Sequence, residues 1–182
     1  SPLRTDDPSV AGITAALLDL DGSYVAVQGP PGTGKTYTGS RVVAALVRDH
    51  GWRVGVVGQS HAVVENFLDA VVDAGLDGTR VHKKPVSDRP RRWTASVKDV
   101  DVAALDGGCV VGGTAWTMTN RKNIAENAFD LLVIDEAGQF CLANTVAVGR
   151  AARNLLLLGD PQQLPQVSQG SHPEPVDASA LG

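Results

Sequence analysis

The chain has 182 residues, enough for one domain with a real core and too few for two. A hydrophobic fraction of 43% with 20% charged residues places it outside the collagen-like, disordered and membrane-spanning classes; its longest apolar runs, such as 155–158, fall far short of the roughly 18 residues that span a bilayer. The net charge of −4 argues mildly against a polyanionic partner, since nucleic-acid binders usually carry a basic footprint.

In chain order, Asp6-Asp7-Pro8-Ser9 is a helix-start signal, and Val10, Ile13, Ala16, Leu17 and Leu20 follow at helical spacing before Asp21-Gly22. Residues 24–28 read as a short buried strand. Helical spacing returns over 35–49 through Val42, Val43, Leu46 and Val47; 53–57 is strand-like and 62–74 helix-like. Runs at 109–112, 131–135 and 154–159 read as three further strands, separated from the first part by a long polar interlude. After Pro161 the chain is rich in Pro, Gln and Ser and reads as loop, in part disordered. The alternation predicts one α/β domain over 1–182, a mainly parallel sheet with helices on both faces. A small basic insertion is expected over 77–106. No secretory signal is visible. A start at Ser1, with Met118 as the sole methionine, reads as a piece of a longer protein. Cys109 and Cys141 have no metal-ligand spacing and read as buried, unreactive thiols of a reduced, cytoplasmic protein.

Gly29-Pro30-Pro31-Gly32-Thr33-Gly34-Lys35-Thr36 fits the pattern G-x-x-x-x-G-K-[ST], after an expected strand and opening an expected helix. Glycines let the backbone turn tightly and aim N–H groups at a phosphate, and the helix N-terminus adds a favourable dipole. Lys35 is expected to reach the β- and γ-phosphates of ATP, and the Thr36 hydroxyl to ligate Mg²⁺. Four apolar residues, Leu131 to Ile134, then lead to Asp135-Glu136. Asp135 at the strand tip is read as the metal holder, and Glu136 as the base that accepts a proton from the attacking water. Another apolar run leads into Gly159-Asp160-Pro161-Gln162-Gln163-Leu164-Pro165, where a glutamine could sense a γ-phosphate.

With these motifs the sequence resembles the superfamily 1 helicases, in the branch of the RNA-surveillance and Dna2-type enzymes. Motif I resembles Gly29 to Thr36, motif II Asp135-Glu136-Ala137-Gly138-Gln139, and motif III Gly159 to Pro165. Ser60-His61-Ala62-Val63-Val64-Glu65-Asn66 is similar to motif Ia, and Gly112-Gly113-Thr114-Ala115 to motif Ic. The likeness runs from about 24 to 167, and the wording around the motifs is similar to helicases fused to a RecB-like nuclease. The resemblance implies a first RecA-like domain, with Gln139 and Gln163 near the γ-phosphate and Ser60, His61 and Thr114 on the face that carries single-stranded nucleic acid, DNA in preference to RNA. It implies a second RecA-like domain with an arginine finger, absent here, so the fragment alone should bind nucleotide, hydrolyse it poorly and unwind nothing. The family's upstream adenine-reading glutamine has no counterpart before Gln28. The alternatives are an ATPase switch that regulates a protein partner or an attached nuclease, and a binding module within a larger nuclease.

The charge is unevenly placed. Residues 80–98 hold seven cations against one carboxylate, Asp88, a net +6 that leaves −10 for the rest. This stretch reads either as a solvated loop or as a phosphate-tracking insertion using Arg89, Arg91 and Arg92. Trp93 within it could stack on a base or anchor the insertion. Trp116 is expected to pack beneath the nucleic-acid face, and His61 to start a helix.

Overall fold

The computed structural model describes residues 9–84, 86, 90–95, 101–105, 107–162 and 178–181. Helix α1 (Val10–Leu18) begins where the Ser9 hydroxyl accepts from the Gly12 N–H at 3.2 Å. There follow β1 (Tyr24–Gln28), α2 (Lys35–His50), β2 (Arg53–Val57), α3 (His61–Asp73), β3 (Val81–Lys83), β4 (Thr94–Ala95), β5 (Cys109–Gly113), α4 (Ala115–Thr119), β6 (Phe129–Asp135), α5 (Leu142–Gly149) and β7 (Ala152–Gly159). The seven strands make one sheet, all neighbours parallel, in the order β1-β7-β6-β2-β5-β3-β4. The expected α/β architecture is what forms.

Continuous apolar strands are explained by two buried faces. Along β6, Leu131 and Val133 join a core with Leu17, Leu46 and Phe67 of α1 to α3. Leu132 and Ile134, pointing the other way, join Met118, Ile124 and Val148 on the opposite side. Because every strand runs the same way, the ends of β1, β2, β5, β6 and β7 all open on one edge, where open α/β sheets present their ligand-binding loops. Among the described residues no helix is long and apolar enough to cross a membrane.

The polar interlude holds two strands that periodicity does not announce. β3 pairs with β5 and carries β4 at the sheet edge. Lys83, at the end of β3, is 1% exposed. A lysine is buried this deeply only when its charge is met, and here its ammonium donates to Glu65 of α3 at 3.0 Å and to the Lys84 carbonyl at 2.9 Å.

Glu65 belongs to a row of carboxylates, Glu65, Asp69 and Asp73, spaced four apart on one face of α3. Arg91 ion-pairs with the second oxygen of Glu65 and lies 3.9 Å from Asp69. The Trp93 indole donates to Asp69 at 2.9 Å, and Arg92 pairs with Asp73. Arg80 donates instead to the carbonyls of Gly108 and Val47, at 2.8 and 2.9 Å. Lys83, Arg91 and Arg92 of the basic stretch are thus laid along the acidic face of a helix from the same chain.

Candidate nucleotide site and the adjoining strand-end face

The loop after β1 is tied down at its start, where the Gly29 N–H donates to the Gly159 carbonyl of β7 at 3.2 Å. Gly32 and Gly34 take left-handed backbone, φ +79° and +80°, which a side chain would oppose. Gly34 is also the N-cap of α2 and offers no side-chain acceptor, so the first N–H groups of this helix are left for an anion. The Lys35 ammonium donates to the loop's own carbonyls, Gly29 at 2.5 Å and Pro30 at 2.8 Å. These are neutral acceptors that a triphosphate can outcompete.

Across the cleft, Asp135 ends β6 at 6% exposure. Its Oδ2 lies 3.4 Å from the Thr36 hydroxyl, and its Oδ1 accepts from the Glu136 N–H at 3.0 Å. Burial pushes the Asp135 carboxyl up to about 6, against the opposing pull of those hydrogen bonds and of Lys35. Glu136 adopts φ +55°, strained for a residue with a side chain, at the point where the strand turns. Gly138 allows the turn to close on the β7 loop: a Cβ there would sit 2.0 Å from the Asp160 carbonyl oxygen. Pro31, Gly34, Lys35, Thr36, Asp135 and Glu136 line a cleft of about 380 Å³, together with Gly159 and Asp160. The Thr36 and Asp135 oxygens are hard donors, few in number, and suit a magnesium ion that keeps waters and phosphate oxygens in its shell.

Sequence reasoning had gathered most of these residues. Gln139 stands apart: it is half-buried and outside the cleft lining, and its backbone carbonyl accepts from the Gln59 side chain. That contact joins the segment before α3 to the loop after β6, and no motif spacing pointed to it. Gln163 and Arg89 lie outside the described residues.

At the ends of β5 and β3 a second cleft, about 340 Å³, brings His61 and Thr114 together with Lys83 and Lys84. Ser60 is exposed beside it and caps α3, its hydroxyl accepting from the Val63 N–H at 3.2 Å. His61 is the first residue of α3, as expected, and partial burial followed by the Lys83 charge holds its imidazole below the ordinary value.

Three expectations are corrected here. Arg91 does not face phosphates, because its side chain is 11% exposed and held by Glu65. Arg92 is not among the three: it is paired with Asp73, and both side chains stay largely in solvent, at 61% and 62% exposure. Trp116 is not a packing residue: it is 83% exposed, whereas Met118, two positions on, fills the interior. Cys141 is half-buried rather than buried, and its sulfur caps α5 by accepting from the Asn144 N–H at 3.5 Å. Of the open alternatives for Trp93, the structure selects the anchor, at 4% exposure. Cys109 is buried, which pushes its thiol up to about 11 and leaves it unreactive.

Comparison with known proteins adds to this geometry. A family model described as AAA domain matches residues 11–179. The chain is 29% identical over 155 residues to the DNA replication ATP-dependent helicase/nuclease JHS1 of Arabidopsis thaliana, covering 81% of this chain and 11% of that protein. It is 29% identical over 178 residues to the DNA replication ATP-dependent helicase/nuclease DNA2 of Gallus gallus, covering 90% of this chain and 17% of that one. Among solved structures, it superposes on the arterivirus nonstructural protein 10 helicase in complex with DNA with a TM-score of 0.55 at 21% identity, covering 84% of this chain and 32% of the other. The chain therefore spans a minor part of the relatives it matches.

Proposed function

We infer that this chain, which belongs to the AAA domain family and is a helicase-like ATPase domain with the RecA-like fold, serves as the motor domain of a superfamily 1 helicase. In this reading, Mg²⁺-ATP hydrolysis is coupled to movement along single-stranded nucleic acid, DNA in preference to RNA. The observation that carries it is the cleft in which Thr36 and Asp135 approach to 3.4 Å beneath the Lys35 loop, with Glu136 on the same lining.

The roles follow from the chemistry of each group. The free N–H groups at the start of α2, together with Lys35, hold the β- and γ-phosphates. Lys35 leaves two carbonyls to do so, and the glycines keep side chains out of the phosphate's way. Thr36 and Asp135 hold magnesium, which neutralises phosphate charge when bound. Glu136 orients the attacking water and accepts its proton. On the neighbouring face, Ser60, His61 and Thr114 receive the strand. Two free cysteines, one of them buried, suit a reduced cytoplasmic setting. A second RecA-like domain of the same polypeptide supplies the arginine finger, worth about 10³- to 10⁵-fold in related NTPases, so these residues alone hydrolyse slowly.

The test is ATP hydrolysis by the full-length protein with matched single-stranded DNA and RNA. Strong stimulation by DNA, and less by RNA, is expected. Indifference to both, with stimulation by a protein partner, would replace the motor by an ATPase switch.

A further inference from the structure

Trp116 is the most exposed large apolar residue among those described, at 83%. The indole is not loose at a chain terminus. It projects from α4, whose Met118 is fully buried and whose Thr119 hydroxyl closes on the Ala115 carbonyl at 2.9 Å. The segment after the helix is held in turn by Arg150, which donates to the Ile124 carbonyl at 3.0 Å and the Thr119 carbonyl at 3.5 Å. The helix is anchored on its buried side, and the ring on it faces water.

Two depressions meet at this ring. One is the cleft of about 340 Å³ that holds His61, Thr114 and Lys84. The other, of about 430 Å³, is shallow and lined by Trp116, Thr119, Asn120, Arg121 and Lys122. Trp116 and Asn120 border both, so the two form one track with the indole at its middle. Lys83 is committed to Glu65, and the His61 imidazole is held below its ordinary value. The cations that bear on the track are therefore Lys84 on one side and Arg121 and Lys122 on the other; no carboxylate is among the described residues that line it, in a chain that carries 20 acidic residues and a net charge of −4. A track that is cationic on both sides of an exposed aromatic plane matches a polymer with regular anions and flat rings.

We propose that Trp116 is a stacking platform for one unpaired nucleobase, with phosphates of the same single strand passing to Arg121 and Lys122 on one side and to the Thr114 cleft on the other. This rests on the motor reading above and adds a residue to it. Stacking needs the open π-face of an unpaired base, so a duplex cannot occupy the track in this way. Every base has such a face, so the contact tolerates any sequence.

The experiment uses the full-length protein and fluorescein-labelled oligo(dT), read by anisotropy, with a second oligonucleotide carrying abasic sites. Trp116→Ala is expected to weaken binding about 5- to 150-fold, the range that removing one base–aromatic stack produces. Trp116→Phe keeps most of the affinity. Wild type and Trp116→Phe bind the abasic strand less well than oligo(dT), while Trp116→Ala no longer distinguishes the two. The dependence of log K on salt stays the same in Trp116→Ala, because phosphate contacts remain, and flattens in Arg121→Ala/Lys122→Ala. Unchanged strand affinity in Trp116→Ala overturns the stacking role and leaves the motor reading standing; that is also the outcome if Trp116 docks a protein module. Failure of the wild type to bind any single strand overturns both.

Discussion

The phosphate loop after β1 and Lys83 at the end of β3 lie at the same edge of the parallel sheet, and both regions carry cations, yet they hold them in opposite ways. Lys35 rests on two neutral carbonyls of its own loop. Lys83 and Arg91 are met by Glu65, whose carboxylate is itself buried. A cation on carbonyls is exchangeable, since an incoming phosphate is a better acceptor at little cost. A cation on a buried carboxylate is committed, because drawing it away would leave an uncompensated charge behind. Local density of lysine and arginine is therefore no guide to where an anion binds; the partner each cation already has decides it.

That contrast can be broken at either end. The largest effect is expected at the exchangeable site: Glu136→Gln should lower kcat for ATP hydrolysis in the full-length protein by about 10²- to 10⁴-fold, the span of a lost general base. Nucleotide affinity, followed with a fluorescent analogue, should persist. A variant that hydrolyses at the parental rate removes Glu136 from the chemistry. At the committed site, Glu65→Ala orphans Lys83 and Arg91 together, and urea unfolding should report a loss of about 3–5 kcal/mol. A loss below about 1 kcal/mol would mean that those charges are solvated after all.

Asp135 lies between these extremes, as a buried carboxylate with no full counter-charge. Burial raises it from 3.8 to about 6, so the folded chain keeps a proton that the unfolded chain has already released. The resulting stabilisation is complete below the unfolded value and is lost as pH climbs through the folded one. Asp135→Asn should therefore stabilise the metal-free chain above about pH 7, by on the order of 3 kcal/mol, and by little below about pH 4. Thermal melts at the two pH values with EDTA check the sign. Mg²⁺-nucleotide should then raise the melting temperature of the parent and not of the variant. The smallest effect is reserved for Arg92→Ala, whose pair with Asp73 is exposed and should contribute less than about 1 kcal/mol. Its salt dependence of strand binding should match the parent, and a flatter slope would place Arg92 on the strand.

What could be read from the sequence divides along the same line. The phosphate loop is built from contiguous residues, and its strand–loop–helix context lies within 24–50, so local pattern and function coincide. The Asp135-Glu136 step was legible because a doubly buried strand makes a continuous apolar run. β3 was not, because a strand of three residues ending in a lysine looks solvated until Glu65, eighteen positions earlier, is placed beside it. The burial of the two tryptophans was not legible for a similar reason. Each sits in polar company in the chain, and only the fold brings Asp69 to the indole of Trp93 and leaves Trp116 with nothing above it.

The place of β7 has one more consequence. It lies between β1, which delivers the phosphate loop, and β6, which delivers Asp135. Two strand spacings, about 9 to 10 Å, therefore separate the two strands that deliver the walls of the cleft, and the side chains of Thr36 and Asp135 close that distance to 3.4 Å. The sheet acts as a calliper whose opening is set by backbone hydrogen bonds, while side chains only dress the jaws. Substitutions at Lys35, Thr36 or Glu136 can change what happens between the jaws, but the gap itself is fixed by the count of strands.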